Sequence, residues 1–267
     1  MQFTFMQTAL LATLFLAPLT AVAGVQVINY RMAFFADTIG HSVFAGAALG
    51  ALFLGSNGAV WGMPLTALLI GIGVLILQKS GKQSSDTVIG VFFAFIVSLG
   101  LLMTSNNHNL PKAGQFIFGD ILLITAQDTA LLAILTLVYT IFIITAFNPL
   151  LLTAIDEDLA RANRIKSLIF ELLHISLLAL IVIFTVKIAG VLLAGAMLIV
   201  PAAAARNLVK HAGRMFWGAA IIGVISGISG LTVSTQEWAN FPAGAAMVMI
   251  SCIIFAASSV WKKLFKN

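Results

Sequence analysis

Long apolar runs separated by short polar punctuation dominate this chain. A helix needs about 20 apolar residues to cross a hydrocarbon core of roughly 30 Å. Nine runs reach or approach that length: 5–25, 33–54, 60–78, 87–104, 128–147, 167–186, 188–205, 215–234 and 241–261. They are continuous rather than alternating, which predicts helices and not the strands of a barrel. The run at 188–205 fits either a full crossing or a re-entrant segment. Asn148-Pro149 is predicted to break the fifth run. Asp86, four residues after Lys82, is predicted to cap the fourth.

The polar punctuation is lopsided. With nine crossings the loops alternate between two sides, and one side collects Arg31, Lys79, Lys82, Arg161, Arg164, Lys166, Arg206, Lys210, Arg214, Lys262, Lys263 and Lys266. Only Lys112 and Lys187 fall opposite. Short basic loops stay in the cytoplasm. The prediction is an all-α polytopic protein of about eight or nine transmembrane helices, with the N-terminus outside and the C-terminus inside, forming a single membrane domain over 1–267.

Composition agrees: 61% of residues are apolar and 9% are charged, against about 25% charged in a soluble domain. The net charge of +5 is spread between apolar runs, not along one face, so it argues against nucleic acid. Cys252 is the one cysteine, which excludes an internal disulfide and a thiolate metal site. No G-x-x-x-x-G-K-[ST] loop occurs, so any ATP that drives this chain is bound elsewhere. Ala21-Val22-Ala23 resembles a signal-peptidase site, but no Lys or Arg precedes Arg31, and a first membrane span is the better expectation.

Against this background the ionisable residues inside the runs carry the chemistry. Asp37 and His41 lie four apart, on one face of the second predicted helix. An ionisable group at bilayer depth costs roughly 2.5–3.5 kcal/mol, so it faces a cavity or a partner and marks a pathway. Carboxylate plus imidazole is also half of a divalent-metal site. The bland alternative is a buried pair that cross-links helices. Glu171 and His174 form a second, weaker pair, and Glu171 is close enough to Lys166 to be its ion-pair partner. His108 in the outer loop 105–128 is a weaker candidate still. That loop holds Pro111, Gly114 and Gly119, and Asp120 within it is expected to fix the chain and not to bind metal. On the inner side, Asp156, Glu157 and Asp158 open a short helix with Ile155, Leu159 and Ala162 on one face, suited either to docking a protein or to a solvated connector. Lys187 to Arg206 is rich in Gly and Ala, so Gly190 and Gly195 allow close, pore-lining packing, and Pro201 is expected to kink the segment.

Three stretches together carry a resemblance: RMAFFADTIGHSVFAGAALG, TAIDEDLARAN and AGVLLAGAMLIVPAAAAR. With FGDILLIT between them and FPAG near the end, the chain resembles the permease subunits of bacterial ABC importers for zinc, manganese and iron, nearest to the zinc-uptake branch. The resemblance implies a type II importer permease in the bacterial inner membrane. It implies a homodimer, two cytoplasmic ATPase subunits and an extracytoplasmic metal-binding protein. It places Asp37 and His41 on the metal and Ile155, Asp156, Glu157, Asp158, Leu159 and Ala160 on the ATPase. Zn2+, or Mn2+ or Fe2+, is then the transported substrate, with no resident cofactor and no covalent chemistry on this chain. Where the family has Gly after the docking segment this chain has Arg164, so Asn163 is expected to supply the left-handed turn. Two other classes stay open: a permease for a metal chelate, which the Asp–His pair disfavours, and an ATP-independent transporter using the pair as a proton relay.

Overall fold

In the computed structural model, residues 2–55, 58–81, 83–105, 124–236 and 242–265 are described. Among these residues nine long helices occupy the nine apolar runs: α1 (Gln2–Asn29), α2 (Phe35–Leu54), α3 (Gly58–Ser80), α4 (Ser85–Ser105), α5 (Ala126–Ile155), α7 (Ser167–Ala189), α8 (Val191–Leu208), α9 (Ala212–Ser234) and α10 (Ala243–Phe265). A short helix, α6 (Glu157–Ala162), joins α5 to α7. No strand occurs among the described residues. Seven of the long helices, all but α2 and α8, are long and apolar enough to cross a membrane. The 18 residues of α8 span about 27 Å. The outward faces are greasy: Ile134, Leu137, Ile141 and Ile144 of α5 and Trp217, Ile221 and Ile225 of α9 are all exposed. Helices apolar on all sides are what lipid selects.

The chain divides into two compact units. The first comprises 1–28, 118–140 and 185–267, the second 29–117 and 141–184. In the first unit the amide of Asn207 donates to the hydroxyls of Ser258 and Ser259, at 3.2 and 3.0 Å. The basic ends of α8 and α10 therefore meet at one end. Lys187, predicted on the opposite side, pairs instead with Asp128 at the start of α5. Gly190 separates α7 from α8 with φ 87° and ψ 163°, backbone angles that only glycine adopts readily. Hydrogen bonds continue on both sides: its N–H donates to the Val186 carbonyl and its own carbonyl accepts from Ala194. Gly190 thus forms the corner between two helices, while Gly195 and Pro201 are buried within α8.

In the second unit α2 and α3 press backbone to backbone. A Cβ added at Gly62 would lie 2.1 Å from the Gly46 carbonyl oxygen and 2.8 Å from the Gly50 Cα. The Thr66 hydroxyl donates to the Gly62 carbonyl at 2.9 Å and lies 3.4 Å from that of Ser42. Such contacts let helices associate where lipid offers no hydrophobic drive.

Two local expectations fail. Helix α5 continues through Pro149 to Ile155 instead of ending at Asn148. Membrane helices tolerate an internal proline because neighbours re-satisfy the freed groups. The cap of α4 is Ser84, whose Oγ accepts from the Thr87 N–H at 3.3 Å. Asp86 sits in the first turn, where its charge still suits the helix dipole.

Candidate functional site

Asp37 lies in the first turn of α2, not deep within it, because the helix begins at Phe35. The orphan N–H groups and the positive end of the dipole there favour a carboxylate. His41 follows one turn deeper, half-buried, with the ring of Phe93 from α4 edge-on at 5.1 Å and that of Phe44 at 5.8 Å. Buried Thr38 and Ser42 turn their hydroxyls back onto the helix, bonding the carbonyls of Phe34 and Ile39. The pair therefore presents a carboxylate and an imidazole on one face, with aromatic rings fixing the imidazole. Among the described residues no three His, Cys, Asp or Glu side chains gather in a metal-holding group. The pair by itself would supply two donors, fewer than the four that zinc prefers.

The second pair is used differently. Glu171 is 5% exposed and its Oε2 lies 2.6 Å from Lys79 Nζ; Lys166, the partner expected from sequence, is not its ion-pair partner. Lys79 ends α3, and its Nζ also holds Glu157 Oε1 of α6 at 2.8 Å. Arg161 backs Glu157 from the next turn at 2.9 Å. One ammonium thus clasps two carboxylates from different elements. Its bond to Glu171 is buried, and breaking a buried pair from one side costs about 3–5 kcal/mol. Its bond to half-exposed Glu157 is worth far less, because solvent screens it.

Hydrogen bonding to Lys79 holds the Glu157 carboxyl below the usual range; partial burial opposes this, and Arg161 reinforces it. A depressed carboxylate contributes its stability above the ordinary glutamate pKa, and loses it as pH falls through the lowered value. The Glu157 side of the clasp therefore keeps its charge throughout the neutral range.

His174, 1% exposed, lies between the rings of Tyr30 at 5.9 Å and Phe142 at 6.4 Å. The Tyr30 hydroxyl donates to the Leu150 carbonyl at 3.1 Å, and burial, with Glu171 and Glu157 nearby, pushes that phenol well up. Tyr30, Lys79, Glu157, Glu171 and His174 line a cavity of about 180 Å3. That the chain near Arg31, the end of α3 and the 156–166 segment converge here fits the common side assigned to their basic residues. His108 and Asp120 lie outside the described residues.

The inner connector folds as its residues dictate. The Asp156 carboxylate caps α6, accepting from the N–H groups of Asp158 at 2.9 Å and Leu159 at 3.1 Å. Ala160 is buried, while Ile155 at 73% and Leu159 at 49% stand exposed.

The exit differs from expectation. Asn163 has φ −82°, and Arg164 itself takes the left-handed conformation at φ 56°. The Arg164 N–H donates to the Arg161 carbonyl and the Ile165 N–H to that of Ala160, the paired closure of a Schellman turn. Those two bonds outweigh the roughly 1–2 kcal/mol that a side chain costs there. Arg164→Gly is expected to raise the thermal midpoint by about 2–4 °C, as read from melting of the purified protein, because about 1 kcal/mol remains when the entropy glycine loses is set against the relieved strain.

Sequence reasoning missed Lys79, Tyr30 and Phe142. A lysine at the end of an apolar run reads only as a topology marker. Nothing local announces that Glu171 will meet it.

Comparison with known proteins agrees with this architecture. The chain is 31% identical over 251 residues to the high-affinity zinc uptake system membrane protein ZnuB of Haemophilus influenzae, covering 94% of this chain and 95% of that one. It is 27% identical to the manganese transport system membrane protein MntC of Listeria monocytogenes, covering 96% and 90%. The structure of PsaBC from Streptococcus pneumoniae in complex with Fab superposes with a TM-score of 0.81 at 26% identity, covering 98% and 95%. A putative metal-chelate type ABC transporter in an inward-facing conformation shares the fold alone, at 18% identity and a TM-score of 0.68. The model of the ABC 3 transport family matches residues 2–262, and with that match over nearly its whole length the chain belongs to the ABC 3 transport family.

Proposed function

We propose that this chain is the membrane permease of an ATP-driven importer that carries zinc into the cytoplasm, with Asp37 and His41 contacting the ion in transit. The observation that carries this reading is the Asp–His pair on one face of α2 in a chain of this family, with the imidazole held between aromatic rings. Two ligands per chain suit a two-fold homodimer that brings two pairs together, or water completing the shell. Either site is weak enough to release its ion, as transport requires. ATP is hydrolysed by two separate ATPase subunits docked on the segment from Ile155 to Ala160, whose exposed Ile155 and Leu159 give them an apolar foothold. A metal-binding protein delivers the ion from outside. The zinc-uptake relative supports zinc, and the manganese relative keeps manganese as the second reading. Aspartate and histidine suit both ions, and selectivity rests on geometry and availability.

Labelled zinc uptake tests this in cells lacking their own high-affinity importer, supplied with this chain and its cognate ATPase and binding protein. Uptake that withstands a hundredfold excess of manganese is expected. Competition by manganese would move the assignment to manganese, and uptake without the ATPase would restore the proton-relay transporter.

A further inference from the structure

We propose that Lys79 is a positioning residue for energy coupling, a clasp that delivers movement of α6 to the α2–α3 pair. The inference rests on the docking role given to α6 above. Helix α6 is attached to its neighbours through two non-helical corners, extended Asp156 and left-handed Arg164. Among the described residues, Lys79–Glu157 is the one ion pair that ties α6 to another element of its unit. The other half of the clasp, Lys79–Glu171, is anchored in the interior. The two halves are unequal. Solvent reaches the Glu157 side, which can loosen, while the Glu171 side stays closed.

Lys79 stands at the end of α3, and α3 is locked to α2 where Gly62 meets Gly46. Helices packed this closely, with Thr66 of one against the Ser42 carbonyl of the other, transmit displacement as a pair. A displacement of Glu157 therefore passes through Lys79 Nζ to α3, from α3 to α2, and so to Asp37 and His41. The route is contiguous within one compact unit, and its demonstration requires a measured coupling.

The test uses the complete permease–ATPase complex in proteoliposomes, with zinc accumulation and ATP hydrolysis measured together. Lys79→Met alone would strand the Glu171 charge, so the variant is Lys79→Met with Glu171→Gln, and Lys79→Arg serves as the conservative rescue. ATP turnover is expected to stay within about twofold of the unmodified complex while zinc moved per ATP falls about tenfold, a coupling loss of ordinary size. Lys79→Arg is expected to recover most of that ratio. Hydrogen exchange at 157–165 is expected to quicken about threefold in the double variant, the size a solvent-screened ion pair supports.

An unchanged zinc-to-ATP ratio, or a parallel fall in both rates, overturns the proposal. So does unchanged exchange. If the unmodified complex hydrolyses ATP without moving zinc, the zinc reading fails, and exchange at 157–165 decides the clasp by itself.

Discussion

Asp37→Asn and His41→Ala are each expected to cut metal uptake at least about 100-fold, with membrane levels unchanged. Loss of a group that merely orients a metal ligand already costs 10–100-fold in affinity or activity, and loss of a ligand should cost no less. Neither change should unfold the chain. Asn is nearly the same size as Asp, and Asp37 is half-buried at a helix start, where an amide is also tolerated. His41→Ala removes a ring that touches Phe44 and Phe93 but lies half-exposed, so its packing loss is modest. Immunoblotting of membranes alongside labelled uptake separates transport from folding. Uptake that survives both substitutions would make the pair a structural cross-link and move the ion's path elsewhere.

Gly62→Val is expected to be the most damaging single change for folding. Even the first carbon of the new side chain would sit 2.1 Å from the Gly46 carbonyl oxygen, and that obstacle is backbone, which cannot rotate away. The two helices must separate, losing the Thr66 contact with Ser42 and the packing around it. Overpacking ordinarily costs 1–3 kcal/mol, and a forced helix separation belongs at about 3 kcal/mol or above. Monodispersity and thermal melting in detergent would show it. Gly90→Ala is the control: a Cβ there meets nothing within 4 Å, and the exposed position gains helix propensity of about 1 kcal/mol. If the two variants melted alike, the close approach of α2 and α3 would be refuted.

The parts of this molecule that the sequence announces are those governed by short-range rules. Apolar length locates nine helices, and a carboxylate before a short helix announces Asp156 as its cap. The spacing of Asp37 and His41 already sets them on one face. What the sequence conceals is decided at long range. Glu171 has a lysine five residues before it, yet it pairs with Lys79 from another helix. Pro149 reads as a break until the surrounding helices are present to tolerate it. Arg164 looks unsuited to a left-handed turn, and the turn forms because two capping bonds demand it. Ser84 and Asp86 both have capping chemistry, and only the geometry chooses between them.

The exposed Ile155 and Leu159 have a consequence for how the cell makes this protein. Ile155 is the last residue of α5 and Leu159 lies on the short charged helix α6, so both stand where the long apolar helix ends. On the docking role proposed for this segment, a newly inserted chain displays an adhesive apolar spot until its partner covers it. Synthesis without its partners should then yield orphan chains that cluster or are degraded, and balanced production of the subunits becomes a condition of obtaining the transporter at all.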